Sequence, residues 1–222
     1  MNNDLPILLF DLDGTLVHTA PDLVATLNTI LLRNDREPLP LESVVKLVGD
    51  GAQALLDRGF RETGAPAENL DALLGDFIEI YSNAATVHSH PFPNVIEVLE
   101  GFLETGHRMA VCTNKPQRPS ETILRNLGLI DFFDLIVGGD RLAVRKPDSK
   151  HLTGTLELMN AVGQSAIMIG DSRNDVASAR DAQMPVIVVS YGYTTIPPAE
   201  LGGDILIDQF SDLPAAVSRL SA

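Results

Sequence analysis

The sequence predicts an α/β fold: a parallel sheet with helices on both faces and an all-helical segment inserted after the first strand. Three observations predict it. Short apolar runs recur and stop abruptly at acidic, hydroxyl or glycine residues, as buried strands do where they enter a functional loop. Helical patterns lie between these runs, and that alternation implies crossover connections and a sheet buried on both faces. From about Pro21 to about Val87 helical patterns follow one another with no convincing strand between them.

The strand candidates come in order. Pro6-Ile7-Leu8-Leu9-Phe10 ends at Asp11-Leu12-Asp13-Gly14-Thr15, and Arg108-Met109-Ala110-Val111-Cys112 ends at Thr113-Asn114. Leu135-Ile136-Val137 runs into Gly138-Gly139-Asp140, Ala166-Ile167-Met168-Ile169 into Gly170-Asp171, and Pro185-Val186-Ile187-Val188-Val189 into Ser190. Ile205-Leu206-Ile207 is a weaker sixth. Helices are expected over Val95 to Glu104, Ser120 to Asn126, Lys150 to Val162 and Asp175 to Ala182, each with apolar or small residues on one face. In the insertion, Leu23, Leu27, Ile30 and Leu31 mark one helix, Ala52 to Phe60 a second and Leu70 to Tyr81 a third. The chain returns through His90-Pro91-Phe92-Pro93, where two prolines suit a stiff connection. In a parallel sheet the residues just past the strand ends converge on one crevice, which brings Asp11, Thr113 and Asp171 together.

Composition narrows the function classes. The 222 residues carry 16 basic and 30 acidic side chains, a formal charge of −14. That balance opposes a broad nucleic-acid face, which needs clustered cations, and opposes adhesion to anionic lipid. A small anionic substrate stays compatible, because a metal or a local basic pocket reverses the field at one site. One cysteine, Cys112, leaves no intramolecular disulfide or thiolate zinc cluster. Met1-Asn2-Asn3-Asp4-Leu5 lacks a basic n-region followed by a long apolar run, and no stretch reaches the roughly 20 apolar residues of a spanning helix. The expectation is a cytoplasmic protein, monomer or homodimer, with no nucleic-acid or membrane partner.

The chemistry concentrates at four places. In Asp11-Leu12-Asp13-Gly14-Thr15-Leu16, carboxylates at i and i+2 can share one space if the chain curls at Gly14. One can attack phosphorus; the other can protonate the leaving oxygen and then activate water. A bare pair of acids also suits a plain acidic turn, but the whole hexapeptide after a buried strand favours chemistry. In Gly170-Asp171-Ser172-Arg173-Asn174-Asp175, Asp171 and Asp175 are four apart and would share a helical face. Hard oxygen ligands beside a phosphate suit Mg2+, with Asp171 the stronger candidate. Thr113 and Asn114 at a strand end can hold phosphate oxygens, and Lys146 can act as a point charge on the transferred group.

The order of these motifs resembles the haloacid dehalogenase-like hydrolase superfamily, and within it the phosphoglycolate phosphatases. Asp11-Leu12-Asp13-Gly14-Thr15 is similar to its first motif, Thr113 to the second, Lys146 to the third, and Asp171 with Asp175 to the fourth. The resemblance implies a Rossmann-like core (1–18 and 89–222) and a small mobile all-α cap (19–88). It implies Asp11 as nucleophile and Asp13 as general acid/base. It also implies Mg2+ held by Asp11, the Asp13 carbonyl and Asp171, and hydrolysis of 2-phosphoglycolate. A sugar or amino-sugar phosphate is the alternative substrate. Leu47-Val48-Gly49-Asp50-Gly51-Ala52 carries part of the likeness. Gly51 opens a helix whose free N–H groups attract an anion, so Gly51 and Arg58 are expected to select a carboxylated phosphoester, with a plain surface residue as the alternative for Arg58. His88 and His90 read as linker residues, His107 and His151 as surface residues, and Cys112 as inert core. Tyr191-Gly192-Tyr193 reads either as lining the crevice or as loop packing.

Overall fold

The computed structural model describes residues 5–84 and 86–221; the reading of Met1 to Asp4 lies outside them. Six parallel strands form one sheet: β1 (Ile7–Phe10), β4 (Met109–Cys112), β5 (Leu135–Val137), β6 (Ala166–Gly170), β7 (Val186–Val189) and β8 (Ile205–Ile207), in the order β5-β4-β1-β6-β7-β8. The chain leaves β1, builds outward through β4 to β5, then crosses to β6 on the other side of β1 and builds outward again. That reversal opens a crevice at the carboxyl ends of β1, β4 and β6, where such sheets bind ligands.

Side-chain alternation assigns the two faces of the sheet. Leu8 and Phe10 of β1, with Val111 and Ile169, pack under α5 (Val95–Glu104), α6 (Gln117–Asn126) and α9 (Leu213–Leu220). Ile7 and Leu9, with Ala110, Cys112 and Met168, pack under α7 (Lys150–Leu158) and α8 (Arg173–Asp181). All six expected strands are present. Two helices were not expected, the five-residue α2 (Leu41–Val45) and the terminal α9. Helix α7 ends at Leu158, short of Val162, and the turn after it holds Asn160 at φ 54°. Helix α8 begins at Arg173, because Ser172 caps it and forms a reciprocal capping box with Asp175.

Between β1 and β4 lie α1 (Ala20–Arg33), α2, α3 (Ala52–Glu62) and α4 (Leu70–Ala84). Leu23, Leu27, Leu55, Leu56, Phe60, Phe77 and Tyr81 form their common core, continuous with the α5 face of the sheet through Leu12, Leu16 and Val17. A two-residue antiparallel ladder, β2 (Val17–His18) against β3 (His90–Pro91), pairs the segment that leaves the core with the one that returns. No helix among the described residues is long and apolar enough to cross a membrane.

Candidate active site

Asp11 leaves the end of β1 and the chain curls at once, with Leu16 and Val17 N–H donating to the Leu12 carbonyl at 3.0 Å and Gly14 N–H to Val17 at 3.0 Å. Gly14 is required twice over: its φ is 84°, and a Cβ there would collide with the Asp171 carboxylate. The curl turns the two acids to different partners. Asp11 Oδ1 accepts from Leu12 N–H at 2.7 Å and lies 3.2 Å from Lys146 Nζ; the Thr113 hydroxyl also hydrogen-bonds Asp11. Both oxygens of Asp13 face Lys115 Nζ, at 2.9 and 3.1 Å.

Behind Asp11 lies a buried charge cluster. Lys146 Nζ donates to Asp175 Oδ1 at 2.6 Å. Asp175 Oδ2 accepts from the Ser172 hydroxyl, Ser172 N–H and Asp171 N–H at 2.6, 2.9 and 3.2 Å. Asp171 accepts from Tyr193 N–H at 2.6 Å and the Thr15 hydroxyl at 3.2 Å. One oxygen from each of Asp11, Asp171 and Asp175 lies within 4.8 Å of the other two. Three carboxylates share this space with one ammonium, and the titration of Asp11, Asp171 and Lys146 reflects the imbalance. Burial, then repulsion from Asp175 and Asp13, outweighs Lys146 and raises the Asp11 pKa to about 6. Burial and the charges of Asp175 and Asp11 push Asp171 well above the carboxylate range. Burial opposes the charge on Lys146, but Asp11 and Asp175 overcome it and hold its pKa above the ordinary lysine value. The donor set is all oxygen and short of positive charge, which fits a hard divalent cation.

In front of Asp11 and Asp13 is a tight cleft with about 40 Å3 of water-accessible space. Thr113, Asn114 and Lys115 form its floor, and Leu23, Leu55, Phe77, Ile78 and Tyr81 of the insertion form its roof. The Gly49-Asp50-Gly51 turn closes one side: Asn114 Nδ2 donates to Gly49 O at 3.3 Å and to Lys146 O at 2.9 Å, and Asn174 Nδ2 donates to Asp50 Oδ1 at 2.7 Å. Asn114 Oδ1 is buried and has no partner among the described residues.

With this geometry in view, the family profile of haloacid dehalogenase-like hydrolases matches residues 8–189. The chain belongs to that family. Its curated relatives include a phosphoglycolate phosphatase from Caulobacter vibrioides, 44% identical over 215 residues that cover 96% of this chain and 91% of the relative. Another, from Agrobacterium fabrum, is 42% identical over 97% of this chain and 94% of its own. The crystal structure of a "predicted phosphoglycolate phosphatase" from Haemophilus somnus 129pt superposes with a TM-score of 0.89 at 28% identity, over 97% of this chain and 99% of that one. The chain is a phosphoric monoester hydrolase of this haloacid dehalogenase-like type.

Of the residues singled out from sequence, Asp11, Asp13, Thr113, Asn114 and Gly51 line the cleft. Lys146, Asp171 and Asp175 form the buried cluster behind it. Arg58 does not join them. Its guanidinium pairs with Asp50 and donates to Leu47 O at 3.0 Å, and both members of the pair are 40% exposed on an outer groove. His151 is buried, not at the surface, with Cys112 Sγ 3.4 Å from Nδ1 and Gly138 O 3.4 Å from Nε2. Tyr193 does more than pack a loop: its N–H holds Asp171, and its hydroxyl meets His18 Nδ1 at 2.8 Å and accepts from Ala20 N–H at 3.1 Å. Lys115 and Tyr81 went unnoticed as site residues. The one available signal was that Lys115 stands two residues after the strand-end Thr113.

Proposed function

We propose that this phosphatase is Mg2+-dependent and hydrolyses 2-phosphoglycolate to glycolate and phosphate through an aspartyl phosphate on Asp11. The observation that carries the reading is the divergent setting of the two acids. Asp11 is fixed by Leu12 N–H and Thr113 and backed by Lys146, as suits a nucleophile held in one orientation. Asp13 lines the cleft in front of Asp11, as suits a group that exchanges a proton with the leaving oxygen and then with water.

Asp11, Asp171 and the Asp13 carbonyl would hold the Mg2+, which offsets the charge of the phosphoryl oxygens when bound. Asp175 belongs to the same cluster, but its oxygens already accept from Lys146, Ser172 and Asp171 N–H, so its part is to anchor Lys146. Asp11 Oδ attacks phosphorus while Asp13 protonates the departing glycolate oxygen. Asp13 then takes a proton from the water that hydrolyses the acyl phosphate. In this reading Lys146, 3.2 Å from Asp11, acts on the transition state as a fixed charge, and Asn114 borders the same space.

Residues 19–88 act in this proposal as a cap over the cleft, hinged where β2 pairs with β3, and the chain works in the cytoplasm as a monomer or homodimer. A cleft with room for only a few waters supports a short substrate. The names of the curated relatives support the same choice. The test is phosphate release from a panel of small phosphoesters with and without Mg2+. Mg2+-dependent release with phosphoglycolate preferred is the expected result. Release from sugar or amino-sugar phosphates alone replaces the substrate, and no metal-dependent release from any ester defeats the reading.

A further inference from the structure

Among the described residues that line the cleft, Lys115 is the one cation. It is 5% exposed, and its partners come from both sides of the cleft. Nζ donates to Asp13 Oδ1 and Oδ2 at 2.9 and 3.1 Å and to the Tyr81 hydroxyl at 3.0 Å, and it lies 4.3 Å from the Tyr81 ring centroid. Tyr81 is itself 1% exposed and stacks on Phe77, with ring centroids 5.8 Å apart. The ammonium is thus held at the meeting of strand-end loop and insertion helix, facing the space beside Asp11.

This arrangement cannot persist through the proposed reaction. To deliver a proton to the ester oxygen Asp13 must be neutral and turn from Lys115, so it ceases to be that ammonium's counterion. The buried ammonium then needs a new anion, because an uncompensated buried charge is costly. We propose that Lys115 is the specificity-determining residue for the substrate's carboxylate: the carboxylate of a short phosphoester replaces Asp13 as its counterion, with the Tyr81 hydroxyl holding the ammonium in place. This rests on the carboxylated-substrate reading above and moves the recognition of that group from Arg58 to Lys115. An ester of the same length with an uncharged tail leaves Lys115 unpaired at the moment Asp13 turns to the leaving group. Selection therefore comes from a charge-assisted hydrogen bond that the carboxylated substrate makes, and from a buried charge that the uncharged one strands.

The experiment compares 2-phosphoglycolate with ethyl phosphate in the wild-type, Lys115→Met and Lys115→Arg enzymes with Mg2+. The expected result is a wild-type preference for the carboxylated ester that falls about tenfold to a hundredfold in Lys115→Met, largely through KM, and is retained in Lys115→Arg. A Lys115 that only steadies Asp13 would slow both esters equally, which overturns the proposal. A preference that survives Lys115→Met overturns it while leaving the proposed function standing. A wild-type enzyme with no preference for the carboxylated ester removes both. If Lys115→Met does not fold, a structure of the Asp11→Asn protein with Mg2+ and 2-phosphoglycolate decides. A carboxylate within about 3 Å of Lys115 Nζ supports the assignment. A carboxylate at the Gly51 turn, with Lys115 still on Asp13, overturns it.

Discussion

Replacing Lys146 by methionine removes the one ammonium from a space shared by three carboxylates. Its Nζ lies 2.6 Å from Asp175 and 3.2 Å from Asp11, with side-chain exposures of 1% for Lys146, 0% for Asp175 and 11% for Asp11. Breaking a buried pair by removing one partner costs about 3–5 kcal/mol. Each kcal/mol moves the melting temperature of a chain this size by roughly 2–4 °C, so the metal-free variant should melt roughly 6–20 °C below wild type at pH 8. The loss has a definite pH sign. Without Lys146 the Asp11 and Asp171 carboxyls lie still further above their unfolded values. Groups with raised folded pKa lower stability as pH rises through the window between the two values. The deficit should therefore be smaller at pH 5, where these acids take up protons, than at pH 8. Added Mg2+ should recover part of it by supplying the missing charge. The chain has no tryptophan, so circular dichroism or calorimetry is the suitable readout. A variant that melts within about 2 °C of wild type at pH 8, or whose deficit grows on acidification, would refute the charge balance assigned to the cluster.

Other outcomes follow from single interactions. Gly192→Ala places a Cβ against the Asp171 side chain; displacing a metal-site carboxylate should weaken Mg2+ activation about 10–100-fold, seen as a rightward shift of the Mg2+ titration, and an unchanged titration would remove Asp171 from the ligand set. Burial, then the nearby Lys146 charge, lowers the His151 pKa to about 4 from 6.5. Its contribution to stability is complete above pH 6.5 and is lost as pH falls toward 4, about 3 kcal/mol in all. Denaturant titrations at pH 7 and pH 5 should show a smaller drop in His151→Gln than in wild type. Asp11→Asn should abolish turnover yet melt no lower than wild type at pH 8, because the ionised Asp11 is destabilising above its pKa of about 6. Arg58→Ala should leave the preference for phosphoglycolate intact, since Arg58 pairs with Asp50 outside the cleft; a lost preference would restore it as a substrate residue.

The legible parts of the fold were those in which a local pattern and a tertiary need coincide. Ile7–Phe10 is apolar at every position because both faces of β1 are covered, and Asp11 breaks the run where the crevice begins. Each of the other strands ended at its hydroxyl, acid or glycine for a similar reason. Helix α2 has five residues, too few for a period to emerge. The sequence places the start of α8 at Asp175, two residues late, whereas Ser172 is the N-cap and Asp175 its reciprocal partner at N3. The site residues that stayed hidden owe their places to long-range pairing. Lys115 meets Asp13 across 102 residues, and Tyr193 meets Asp171 and His18 only after the sheet is assembled. His151 is polar in sequence, yet Cys112 and the Gly138 carbonyl give it partners inside the core. Arg58 looked available for an anion because Asp50, eight residues earlier, lies beyond the helix on which it sits.

The central claim is that Asp11 carries the phosphoryl group. Rapid-quench mass spectrometry of the wild-type enzyme turning over 2-phosphoglycolate tests it most directly. The account predicts a Mg2+-dependent phosphoryl adduct on the peptide that contains Asp11, formed before free phosphate appears and absent from Asp11→Asn. Phosphate released at the full rate with no adduct on that peptide would contradict it.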